Sequence, residues 1–172
     1  GRGERDRGRL GRPGVARLVR ESRLPRDDIV APNHCEFEWL GGRQARTIED
    51  AIERAHALIA SGPSTVVITS AELADTPAEA IETLAIEGAR AFRVRTSRLP
   101  ISSNGTGDLS AAVFVAARMQ GKDTPAALAH AASAIFAVLE LTAARGTTEM
   151  RIVESGALLV NPKRRFEAVA VP

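Results

Sequence analysis

Asn104-Gly105-Thr106-Gly107-Asp108-Leu109-Ser110-Ala111-Ala112-Val113-Phe114-Val115-Ala116 runs from a glycine-rich turn straight into an apolar-faced segment. The two glycines let backbone N–H groups converge, and the helix expected over Leu109 to Gln120 adds unpaired N–H groups and partial positive charge at its start. Such a mouth suits a phosphate group. Asp108 stands at its lip, where a carboxylate can accept the proton of an alcohol attacking phosphorus. Taken alone, the turn has a plainer reading: glycines precede many helices, and an Asp in the first turn simply complements the helix dipole.

Working outward, the chain reads as alternating strands and helices. Val66-Val67-Ile68 is a β-branched run fit for an interior strand, and it delivers Thr69 and Ser70 to the strand's C-terminal edge, where open α/β sheets bind ligands. Before it, Thr47-Ile48-Glu49-Asp50 has capping-box spacing, and Ile48, Ile52, Ala55 and Ile59 recur at helical intervals until Ser61-Gly62-Pro63. Earlier still, a short helix is expected over Pro13 to Arg23, a buried strand over Asp27 to Pro32, and a loop carrying Asn33 and Glu36. After Ser70, residues Ala78 to Arg95 suit either a helix behind Thr76-Pro77 or a hairpin. Gly88 and the alternation Ala91-Phe92-Arg93-Val94-Arg95 favour the hairpin. Beyond the glycine turn, Pro125 to Ala144 reads as a helix with apolar Leu128, Ala131, Ala132, Ile135 and Leu139, closed by Gly146. Glu149 to Glu154 and Phe166 to Val171 read as two late strands. The fold class is α/β.

Composition narrows the function. The chain has 172 residues, 44% hydrophobic and 26% charged, which is the make-up of one globular domain. No stretch approaches the ~18 consecutive apolar residues of a membrane span. One cysteine, Cys35, permits no intrachain disulfide, and a cytoplasmic setting is expected. The net charge of +2 hides an asymmetry, because residues 1–26 hold nine arginines against Glu4, Asp6 and Glu21. An alkaline value set by one Arg/Gly-rich end, with five Phe, one Trp and no Tyr, argues against nucleic acid as partner. Residues 1–12 read as an irregular lead-in, and a start on Gly1 with Leu10 as its one large apolar residue reads as cut from something longer. His56 and His130 lie in helical segments without partners at metal spacing, and Cys35 has no assignable base.

Two ordered motifs shift the balance toward chemistry. NGTGDLSAAVFVA at 104–116 resembles the GTGD signature of ribokinase-like vitamin kinases, and APNHCEFEWLGGR at 31–43 resembles the PNxxE segment of pyridoxal kinases. VVITS at 66–70 resembles the strand end that contacts ATP phosphates in that family, and EMRIVESGALLVNPKRRFEAVAV at 149–171 resembles its closing segment. The similarity runs from about Gly8 onward. It implies a ribokinase-like three-layer α/β/α sandwich, here a single domain over residues 1–172 without the family's N-terminal strands and Asp-Pro-Val-Met-Gly-Asp segment.

The same resemblance implies ATP-dependent phosphorylation of the 5′-hydroxyl of pyridoxal, pyridoxine or pyridoxamine in vitamin B6 salvage. Asp108 would be the catalytic base, and Gly105, Thr106 and Gly107 the anion hole. Glu36, with Asn33, would organise Mg²⁺ around the ATP phosphates. Thr69 and Ser70 would contact phosphates, and Arg93, Val94, Arg95 and Thr96 would line the nucleotide site. The resemblance also implies a homodimer. Hydroxymethylpyrimidine kinases of thiamine synthesis share the fold, but their corresponding turn usually has Cys where this chain has Asp108. A remnant without activity, serving as a nucleotide-binding or interaction module, is the alternative of a different class.

Overall fold

The computed structural model describes residues 18–26 and 28–172; the lead-in over residues 1–12, residues 13–17 of the helix expected over 13–23, and Asp27 of the expected first strand lie outside them. From residue 18 the chain makes helical turns over Val19–Arg23 and Leu24–Arg26. Five strands follow in one sheet: β1 (Ile29–Val30), β2 (Thr65–Ala71), β3 (Ala80–Glu87), β4 (Arg90–Ser97) and β5 (Val169–Val171). Their spatial order is the order of the chain. β1 runs parallel to β2, and every other neighbouring pair is antiparallel. The hairpin is therefore the correct reading of residues 78–95, with Gly88 at positive φ (56°) in its turn.

Strand alternation sorts the sheet's side chains into two cores. Val66, Ile68, Leu84 and Ile86 point to one face, where α1 (His34–Gly41) and α2 (Ile48–Ile59) cover them with Phe37, Leu40, Ala55 and Leu58. Val67, Ala85 and Val94 point to the other, beneath α3 (Thr106–Met119) and α4 (Thr124–Ala144), which supply Phe114, Ala117, Leu128 and Ala131. The result is a three-layer α/β/α sandwich. Each large side chain buried this way contributes roughly 1.5–3 kcal/mol. Gly62, just after α2, packs against the Leu24 turn so closely that a Cβ there would collide with the Leu24 carbonyl oxygen.

Three local expectations are corrected. Asn33 to Glu36 is the start of α1 rather than a loop, because Asn33-x-x-Glu36 is itself a capping box: Asn33 Oδ1 accepts the Glu36 N–H and Glu36 Oε2 accepts the Asn33 N–H, each at 2.9 Å. Glu149 to Glu154 is a turn leading into the short α5 (Gly156–Val160), and its exposed Val153 has no sheet to join. α3 begins three residues before the expected Leu109, so Thr106, Gly107 and Asp108 form its first turn. Capped ends account for the other helices. Thr47 and Asp50 exchange bonds at the start of α2, and Asp123 caps α4 at the Ala126 N–H.

Candidate functional site

The end of β2, the hairpin strands and the starts of α3 and α4's apolar face meet around one cleft. Its polar lining includes Thr69, Ser70, Thr96, Thr106 and Gly107, all expected site residues. Their convergence follows from two local devices. The β2–β3 register slips between Ile68 and Ala71, and Ser70 takes a left-handed conformation (φ 52°) that a non-glycine residue adopts at a cost of about 1–3 kcal/mol. Backbone strain of this kind concentrates where a chain must re-aim groups at a site. On the facing side, Gly105 is left-handed (φ 78°) as the N-cap of α3, a geometry suited to glycine, and it turns the chain so that the first N–H groups of the helix open toward the cleft.

Thr69 is the most informative side chain. Its N–H donates to the Pro32 carbonyl at 3.0 Å, but its Oγ1 is buried with no protein partner. A buried hydroxyl left unpaired costs about 1–3 kcal/mol. A Cβ placed on Gly107 would lie 3.6 Å from that oxygen, so the hydroxyl faces the glycine turn directly. An anionic oxygen between them would satisfy the Thr69 hydroxyl and the helix N-terminus together. Thr106 Oγ1 turns back to the Ser103 carbonyl at 2.9 Å and braces the turn from within. Asp108, next to Gly107 in the same helical turn, is exposed, and among the described residues no side chain engages its carboxylate.

The apolar lining comes from Leu99, Ile101, Ile135, Phe136 and Leu139, a surface suited to a flat heterocycle. Ile135 and Leu139 lie at helical spacing that suits ordinary core as well as a ligand pocket, and periodicity alone does not separate the two roles. Leu99 and Ile101 carry no sequence signal at all, since they lie in an irregular connection.

Arg93 and Arg95 are not brought to the cleft. Thr96 lines it and Val94 is buried beneath it, so the strand period of two sends the arginines to the opposite face. There Arg95 Nε donates to Glu82 Oε1 at 2.6 Å and Arg93 Nη1 to Asp75 Oδ2 at 2.6 Å. Glu82 is fully buried, and Thr76 Oγ1 donates to its other oxygen at 3.0 Å. The arginine beside Asp75 holds that carboxyl below its ordinary value. This cluster ties residues 75–76, just past the bulge, to the hairpin.

Asn33 and Glu36 lie one strand-end away, with Asn33 bridging to Thr69. His34 joins the same region, its Nδ1 accepting the Glu72 N–H at 2.9 Å and its Nε2 standing 3.3 Å from Glu38 Oε1. Among the described residues no group of three His, Cys, Asp or Glu is gathered for a metal. A Mg²⁺ that keeps its waters and takes phosphate oxygens needs only one or two carboxylates, and the exposed Glu36, with one oxygen not used by the cap, fits that demand.

Comparison with known proteins agrees with this geometry. The chain is 39% identical over 165 residues to the pyridoxal kinase PdxY of Rubrobacter xylanophilus, covering 95% of this chain and 57% of that protein. It is 36% identical to the PdxY of Granulibacter bethesdensis, covering 96% and 59%. It thus spans less than two thirds of the length of the curated relatives it matches. Its fold superposes on the Leishmania donovani pyridoxal kinase solved with ADP and ginkgotoxin with a TM-score of 0.87 at 24% identity, over 96% of this chain and 58% of the other. The Entamoeba histolytica pyridoxal kinase gives 0.82 at 21% identity, over 94% and 57%. The sandwich is therefore of the ribokinase-like type. Residues 5–152 match the profile of the phosphomethylpyrimidine kinase family, which spans both the Asn33 cap and the Gly105 turn, and the chain belongs to that family.

Proposed function

We propose that this chain forms the nucleotide-binding and catalytic part of a vitamin B6 kinase, transferring the γ-phosphoryl group of ATP to the 5′-hydroxyl of pyridoxal, pyridoxine or pyridoxamine. The observation that carries the proposal is the meeting of the unpaired Thr69 hydroxyl with the Gly105–Asp108 turn across one cleft. The adenine ring lies against the apolar lining from Ile101, Ile135 and Leu139, and the phosphates reach Thr69, Ser70 and the start of α3. Asp108 takes the proton of the acceptor hydroxyl as its oxygen bonds to the γ-phosphorus, and the bond to the β-phosphate oxygen breaks to release ADP. The N–H groups at the Gly105 turn stabilise charge on the phosphoryl oxygens during that exchange, where preorganised donors contribute most. Mg²⁺, when bound, neutralises charge on the phosphate oxygens, with Glu36 as its carboxylate and Asn33 holding Glu36 in place. The protein works as a cytoplasmic homodimer in this reading.

The family profile also covers kinases of phosphomethylpyrimidine. The test is transfer of labelled γ-phosphoryl from Mg-ATP to pyridoxal, pyridoxine, pyridoxamine and hydroxymethylpyrimidine in parallel. Labelled pyridoxal 5′-phosphate with little pyrimidine product supports the proposal. Transfer to the pyrimidine alone would overturn it in favour of the second acceptor.

A further inference from the structure

Met150 stands behind the glycine turn. Its Cε lies 3.4 Å from where a Cβ on Gly105 would be, and its Sδ lies 3.8 Å from Thr106 Oγ1. Met150 belongs to the turn over residues 149–154, and that turn is stapled to α4. The buried Thr142 accepts the Arg151 N–H on Oγ1 at 3.1 Å, and the Thr142 carbonyl accepts the Thr147 N–H at 3.4 Å. The same helix supplies Ile135, Phe136 and Leu139 to the cleft.

From these contacts we infer that Met150 is a positioning residue for phosphoryl transfer: it buttresses Gly105 and Thr106 so that the first turn of α3 keeps its aim at the transferring group. The inference rests on the kinase reading for its consequence in catalysis, and on contacts alone for its consequence in the turn. A left-handed Gly105 has wide conformational freedom, and a contact from outside the turn adds to the internal brace in holding one geometry. Thr106 donates its single hydroxyl hydrogen to the Ser103 carbonyl at 2.9 Å, and the methionine sulfur packs 3.8 Å from the same oxygen. A thioether is a weak acceptor, so packing is its main contribution.

Two readouts on Met150→Ala and Met150→Leu test this. The first is amide exchange at Leu109, whose N–H donates to the Gly105 carbonyl at 3.0 Å, measured against the β2 amide of Val67. Met150→Ala is expected to speed exchange at Leu109 by about tenfold while Val67 is unchanged, and Met150→Leu is expected to match wild type. The second is kinetics: Met150→Ala lowers kcat with KM for ATP retained, since the turn acts on the transferring group more than on bound ATP. Unchanged exchange at Leu109 in Met150→Ala, or an equal rise at Val67, overturns the inference whatever the activity. Local loosening at Leu109 with a wild-type protein that transfers no phosphoryl group leaves the buttress standing and counts against the kinase reading instead. Local loosening with wild-type kcat overturns the catalytic part of the inference.

Discussion

Gly107 faces the hydroxyl of Thr69 at a distance that would put an added Cβ in van der Waals contact, 3.6 Å from Oγ1. The first turn of α3 is thus open to a ligand because residue 107 has no side chain. Gly107 is helical and has no positive φ, so Gly107→Ala should fold normally and gain up to about 1 kcal/mol from helix propensity. In the proposed nucleotide complex the added methyl group would occupy the space of the phosphate, and nucleotide affinity should fall by about tenfold or more. Thermal melting and calorimetric titration with ADP check the opposite signs; a variant that binds as wild type would place the phosphate elsewhere.

Thr69→Val should also separate stability from binding. It removes a buried hydroxyl with no protein partner, so the free protein should become more stable by about 1 kcal/mol. In the proposed nucleotide complex it also removes a hydrogen bond from the hydroxyl to a charged phosphate, worth about 1.5–3 kcal/mol, so nucleotide should bind about ten- to a hundredfold more weakly. Loss of stability together with unchanged binding would show that the hydroxyl serves the apo fold.

Arg93 and Arg95 distinguish the two faces of the hairpin. Arg95→Ala removes the 2.6 Å partner of the fully buried Glu82 carboxylate and should cost about 1–3 kcal/mol, less than breaking a fully buried pair because Arg95 itself is exposed and Arg93 and Thr76 remain beside Glu82. Arg93→Ala should leave nucleotide affinity unchanged, since its partners Asp75 and Glu82 lie away from the cleft. Denaturant melts and ADP titration provide the check, and a large affinity loss in Arg93→Ala would restore it to the nucleotide site.

His130, on α4 away from the cleft, is pushed below its ordinary value of 6.5, first by burial and then by the nearby positive charge of Lys122. The native state therefore binds this proton less readily than the unfolded chain. Its contribution to stability is complete above the ordinary value and is lost as pH falls through it toward the lowered native value. Melting temperature followed from about pH 8 to about pH 5 should drop more steeply in wild type than in His130→Gln. Parallel curves would show that His130 titrates alike in both states.

Much of this arrangement is legible in the chain itself. Val66-Val67-Ile68, the Thr47 cap and the Gly88 turn each carry a local signal strong enough to specify β2, α2 and the hairpin, and GTGD names the turn that faces β2. The face of the hairpin on which Arg93 and Arg95 lie is set by register against Glu82, a pairing made only in three dimensions. The helix at Asn33 was hidden because its capping box coincides with residues that also suit metal chemistry. Glu149 to Glu154 has strand-like composition, but the only strand following α4 in the sheet is Val169–Val171, which pairs with β4. Met150 had no motif to announce it; only its contact with Gly105 gives it a role.

The most direct test of phosphoryl transfer at this cleft compares wild type with Asp108→Asn in one preparation, measuring ADP binding by calorimetry and ATP-dependent formation of pyridoxal 5′-phosphate. Asp108 is exposed and engages no side chain, so the substitution should leave the fold and nucleotide binding nearly intact while phosphorylation falls by about a hundredfold or more. Equal loss of binding and turnover, or turnover retained, would contradict Asp108 as the base.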